Sequence, residues 1–159
     1  MSVKAIPPGY HSLTPHMTVR DAARAIEFYK QAFGATERGG VMQGPGGKVM
    51  HAELVIGDSI LMLADEFPEH GSLSPQSGGG AGTTLHIYTE DVDSAFDRAV
   101  KAGATVEMPP TDMFWGDRYG KLADPFGHKW SIATHTADLS AEDMERNMKA
   151  MMADMPKSA

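Results

Sequence analysis

Apolar residues recur at a helical spacing twice along the chain, and alternating runs follow each time. Ala25, Ile26, Tyr29 and Phe33 form one stripe over residues 22–33, and Ala95, Phe96, Ala99 and Val100 form another over 92–102. Asp21 stands where the first helix needs an N-cap, and Gly34 follows as a stop. Tyr10 to Val19 reads as a strand ahead of that helix. Thr36 to Gln43, Val49 to Ile56 and Ser59 to Ala64 read as strands behind it, joined by Gly44-Pro45-Gly46-Gly47 and Gly57-Asp58. In the second half a strand over Thr83 to Thr89 precedes the helix. Strands around 104–112, 116–123 and 128–134 follow it, with Asp124-Pro125-Phe126-Gly127 as a turn. Each half therefore predicts strand–helix–strand–strand–strand.

The wording repeats as well as the pattern, about 70 residues apart. His16-Met17-Thr18-Val19-Arg20-Asp21 is echoed by His86-Ile87-Tyr88-Thr89-Glu90-Asp91, and Gly34-Ala35-Thr36 by Gly103-Ala104-Thr105. A period of this length marks a supersecondary unit that has been copied and paired. The expected fold is α+β, with two βαβββ modules pairing into a curved, cleft-forming mixed sheet. One domain covers 1–136, with module 1 at about 10–66, a linker at 67–82 and module 2 at about 83–135. Ser77-Gly78-Gly79-Gly80-Ala81-Gly82 predicts that the linker is flexible. A helical tail occupies 137–159. There Ser140 and Asp143 suggest a capped start, and Met144, Met148, Met151, Met152 and Met155 form a stripe expected to dock on the body or on a partner subunit.

Composition narrows the function classes. The chain has 159 residues, enough for one domain with its own core. Its formal net charge of -7 argues against nucleic acid, which requires a basic face. Without cysteine, thiol nucleophiles, disulfides and zinc ribbons are excluded. No apolar run approaches a membrane span and no signal core opens the chain, so the expected setting is cytoplasmic with no membrane partner.

Ile26-Glu27-Phe28-Tyr29-Lys30-Gln31-Ala32-Phe33-Gly34-Ala35 resembles the first helix of the vicinal-oxygen-chelate superfamily. That superfamily groups glyoxalase I, extradiol dioxygenases, fosfomycin-resistance enzymes and bleomycin-resistance proteins. Asp112-Met113-Phe114-Trp115-Gly116-Asp117-Arg118-Tyr119-Gly120, followed by Asp124-Pro125-Phe126-Gly127-His128-Lys129-Trp130, is similar to its PhnB-like branch. The likeness spans roughly residues 10–135. Because the fold hosts several chemistries, function has to be argued from the site.

The resemblance implies a divalent metal held by His, Glu or Gln from the first and last strand of each copy. Counting back seven residues from Asp21 and Asp91 puts Thr14 and Thr84 in the first-strand places. The last-strand places fall on Leu61 or Met62 and on Ser131. Hydroxyls and aliphatic chains are poor divalent ligands. His16 and His86 lie two residues further on, keep the same strand face, and occupy equivalent places where they are expected to approach one another across the pseudo-axis. This pair is the remaining metal candidate, for Ni, Zn, Mn or Fe, and needs a carboxylate from Glu53 or Glu90 to complete it. His51 reads as structural, and His128 as a turn residue facing solvent.

In bleomycin-resistance-like relatives the aromatic segment lines the ligand cleft. By that likeness the expected ligand-binding cleft comprises His16, Met62, His86, Trp115, Arg118 and Tyr119. No catalytic residue and no cofactor is assigned. The expected function is binding or sequestration of a small-molecule ligand without chemistry. The alternative is a metal-dependent lyase, isomerase or dioxygenase with a rearranged site. The same resemblance implies a homodimer, with or without exchange of modules.

Overall fold

Asp21 and Asp91 open the two equivalent helices of the repeat in the same way in the computed structural model, which describes residues 3–156. Residues 1, 2 and 157–159, the outermost parts of the 1–136 domain and the 137–159 tail, lie outside the described residues. Each aspartate accepts a hydrogen bond from a backbone N–H three residues on, Arg24 N and Ser94 N, both at 3.1 Å. Such caps stabilise a helix by about 0.5–2 kcal/mol. Gly34 ends the first helix at φ 67°, a left-handed position that glycine takes without a Cβ penalty.

Module 1 runs β1 (His16–Val19), α1 (Ala22–Phe33), β2 (Thr36–Gln43), β3 (Val49–Ile56) and β4 (Ser59–Asp65). A linker with a short helical turn, α2 (Pro75–Gly78), leads to module 2. Module 2 runs β5 (Thr84–Tyr88), α3 (Val92–Ala102), β6 (Thr105–Asp112), β7 (Asp117–Ala123) and β8 (Lys129–His135), and α4 (Ala141–Asp154) follows. The sheets have the orders β1-β4-β3-β2 and β5-β8-β7-β6, each with one parallel pair between its first and last strands. The copied unit expected from the sequence is therefore present twice.

Both sheets bury one face against helices in a common core. Tyr29 on α1, fully buried, packs against Phe126 and Trp130 of module 2, and its hydroxyl donates to Asp124 Oδ2 at 2.6 Å. Arg98 of α3 donates to the carbonyls of Lys30 and Gln31 at the end of α1. His128, expected to face solvent, instead sits 2.9 Å from the Thr18 carbonyl and ties the modules together.

Two segments differ from expectation, and the tail stands apart from both sheets. The first strand covers only His16–Val19, and the Tyr10 segment ahead of it is held by side chains rather than by a ladder. The linker is organised rather than a loose tether. Glu66 accepts hydrogen bonds from Ser74 N at 3.0 Å and Ser77 Oγ at 2.9 Å, and Arg20 pairs with it at 3.7 Å. Hydrogen bonds from Ser74 and Ser77 push the Glu66 carboxyl down to about 2. Finally, α4 is capped by Ser140 as read from the sequence; Met144, Met148 and Met151 of its stripe are half-buried, yet among the described residues the helix makes no substantial contact with another helix or strand. No helix among the described residues is long and apolar enough to cross a membrane.

Candidate functional site

Alternation along the strands leaves each sheet with a face that no helix covers. On module 2 this face is built around a trough. Ser131 and Ala133 of β8 supply its narrow floor, both buried, and larger side chains of β5 and β7 stand on either side. His86 lies opposite Ser131, with Nδ1 2.6 Å from the Ser131 hydroxyl. Its ring stacks on Tyr119 across the trough, with centroids 5.8 Å apart, and meets Tyr88 edge-on at 4.6 Å. Desolvation by these neighbours pushes the imidazole below its ordinary value, so the neutral form prevails at neutral pH.

The aromatic wall is set by one carboxylate. Asp117 is 2% exposed, and it accepts from Tyr88 Oη at 2.8 Å and Trp115 Nε1 at 2.9 Å, with His135 Nδ1 2.7 Å away. Burial pushes this carboxyl up; hydrogen bonds from His135, Tyr88 and Trp115 outweigh it and hold the group below the usual carboxylate range. Trp115 then meets Tyr119 edge-on at 5.4 Å. The sequence put Asp117 inside the PhnB-like segment without assigning it a role, and nothing there singled out His135. Only their register, as opposite residues on β7 and β8, brings them together.

On module 1 a row crosses all four strands from His16 through Met62 and Glu53 to Arg38. Tyr10 donates to Glu53, His51 Nε2 lies 3.2 Å from the same oxygen, and Arg38 sits over the Tyr10 ring at 4.8 Å. Hydrogen bonding from Tyr10, with help from His51 and Arg38, holds Glu53 low despite partial desolvation. His16 stacks toward His51, with ring centroids 6.1 Å apart.

The modules meet at a seam cavity of about 530 Å³. Leu13, Thr14, Ile60 and Leu61 line one side, and Leu85 and His86 line the other. His86 and Tyr88 thus belong both to the cavity and to the aromatic face of module 2. The expected cleft residues separate accordingly. His86, Trp115 and Tyr119 come together, whereas His16 and Met62 share the module 1 row. Arg118 is on the opposite, helix-covered face of β7, where it pairs with Asp93 at 2.9 Å and Asp112 at 3.3 Å. Strand alternation explains this, since Asp117 and Tyr119 already occupy the open face.

The donors also test the metal expectation. No hydrogen bond, ion pair or ring contact among the described residues joins His16 to His86, and each is engaged within its own module. Across the parallel ladders His16 lies opposite Met62 and His86 opposite Ser131, so neither histidine faces a second strong divalent ligand on the neighbouring strand. Among the described residues no three His, Cys, Asp or Glu side chains are grouped to hold an ion. These donors do not fit a divalent centre.

Sequence and fold comparisons agree with this architecture. The sequence model of the Glyoxalase/Bleomycin resistance protein/Dioxygenase superfamily matches residues 11–132. Mb0911c of Mycobacterium bovis is 44% identical over 142 residues, covering 87% of this chain and 93% of that protein. The crystal structure of the Arabidopsis thaliana At5g48480 product is 30% identical, with a TM-score of 0.62 over 78% of this chain and 98% of that one. A PhnB protein from Bacillus cereus shares the fold at 18% identity, with a TM-score of 0.61 over 78% of this chain and 99% of that one. With its paired βαβββ modules, the chain belongs to the glyoxalase/bleomycin resistance protein/dioxygenase superfamily, the vicinal-oxygen-chelate group.

Proposed function

We propose that the protein binds a small organic ligand at the seam between its modules and performs no metal-dependent step there. The observation that carries this reading is the seam cavity running into the aromatic trough. At about 530 Å³ it falls in the range of small-molecule sites. Its walls combine aliphatic side chains such as Leu13, Ile60 and Leu85 with polar groups from Thr14, Asp58, a neutral His86 and the Tyr88 hydroxyl. Such a site favours a planar compound that stacks on rings and makes few directional bonds. The overall negative charge favours a cationic one.

A homodimer is the assembly we propose. The outer strands β2 and β6 are interrupted by register shifts, and β6 carries Pro109-Pro110. By contrast, β5 has no charge or proline and its Tyr88 is 64% exposed, so the aromatic face beside Tyr88, rather than the strand edge that borders the cavity, suits cover by a second copy.

Thermal unfolding against a panel of planar aromatic and cationic compounds tests the binding reading. A bound compound raises the melting temperature increasingly with its free concentration relative to Kd, and His86→Ala abolishes or sharply reduces the rise. Elemental analysis of protein purified without chelator is expected to give less than about 0.1 equivalent of Ni, Zn, Mn or Fe. Stoichiometric metal would overturn the reading.

A further inference from the structure

We propose that His135 is a proton-operated latch that fastens the C-terminal tail to the aromatic wall of module 2. Its two ring nitrogens face two different carboxylates, Asp117 Oδ1 at 2.7 Å from Nδ1 and Asp138 Oδ1 at 2.9 Å from Nε2. An ionised carboxylate has no proton to give, and a neutral imidazole carries a single N–H. Both contacts exist together only in the imidazolium form.

The two carboxylates are unequal. Asp117 is buried and also receives Tyr88 and Trp115, whereas Asp138 is fully exposed on the tail. When the ring loses a proton, the remaining N–H stays with the buried Asp117 and the Asp138 contact opens to water. The groups facing His135 are Asp117 from β7, Asp138 from the tail and, through Asp117, Tyr88 of β5. Hydrogen bonding to Asp138 and then to Asp117 raises the imidazole above its ordinary value of 6.5. The latch is therefore closed below that value and opens as pH rises through the raised one.

Opening acts where the tail is rooted. Thr136 N and Ala137 N both donate to the Gly116 carbonyl, at 2.8 and 3.0 Å, directly beside Trp115. From there the chain leads into α4, which among the described residues makes no substantial contact with another helix or strand. Proton loss at His135 removes the Asp138 fastening ahead of α4 and leaves a neutral ring, in place of an imidazolium, beside the carboxylate that positions Tyr88 and Trp115. This adds regulation to the face proposed above to bind ligand, but the free protein alone reports it.

The test is amide exchange at Thr136 and Ala137 with Trp115 fluorescence between about pH 6 and pH 9, beside the His135 titration followed by NMR. Protection corrected for intrinsic exchange is expected to fall about tenfold, with the midpoint of the His135 titration. His135→Gln, which keeps one donor, is expected to remove the step. Asp138→Asn, an exposed change that leaves the core intact, is expected to shift its midpoint downward. A flat profile in the unaltered protein, or the same step and midpoint in either variant, would overturn the latch. No ligand enters the experiment, so a failed ligand screen and a failed latch are separate results.

Discussion

Tyr29 and Asp124, 95 residues apart, meet through a 2.6 Å hydrogen bond at the centre of the molecule. The phenol comes from the helix of module 1 and the carboxylate from the turn of module 2. Asp124 also receives Trp130 Nε1 and the backbone N–H groups of Phe126 and His128, all at 2.9 Å. One buried carboxylate thus shapes the turn before β8 and ties that turn to α1, placing Ser131 and the trough.

Removing the phenol isolates this bond. Tyr29→Phe keeps the ring packing and leaves Asp124 one donor short, at an expected cost of about 1–3 kcal/mol. Urea unfolding measures it as a lower midpoint with an unchanged slope. An unchanged midpoint would show that this hydrogen bond adds nothing to the hold between the modules.

Glu66 makes the linker acid-sensitive. Its folded value of about 2 lies below the ordinary value of 4.5. A depressed carboxyl contributes stability above its unfolded pKa, and that contribution is lost as pH falls from about 4.5 toward 2. Glu66→Gln is expected to flatten this part of the stability profile and to increase exchange at the Ser74 amide.

The repeated phrases showed the architecture before the structure did. Asp21, Gly34, the two helical stripes and the Asp124–Gly127 turn are local signals, and the observed elements follow them closely. What escaped was tertiary. Strand alternation sends Arg118 to the helix-covered face, and only cross-strand register reveals that Asp117 organises Tyr88, Trp115 and His135. The flexible look of the glycine-rich linker concealed Glu66, which reaches into it from the end of module 1. A paired histidine motif likewise says nothing about side-chain partners, and His16 and His86 find theirs inside separate modules.

His86 and His135 titrate with opposite signs. Desolvation lowers His86, so its contribution is complete above 6.5 and falls away as pH drops below that value toward the folded one. Proton NMR is expected to place His86 below 6.5 and His135 above it. Tyr119→Ala admits water to the stacked face of His86 and is expected to return that ring toward 6.5. A value that does not move in this variant would mean that the stack does not set its environment.

The most direct test of the central claim is calorimetric titration of planar aromatic and cationic compounds into the unaltered protein and into His86→Ala and Tyr88→Ala. The seam site predicts saturable one-to-one binding per chain by at least one compound without added metal. It further predicts a loss of at least about tenfold in affinity in each variant, equivalent to about 1.4 kcal/mol. Binding that is equally tight in both variants, or that appears only when a divalent metal is supplied, would contradict it.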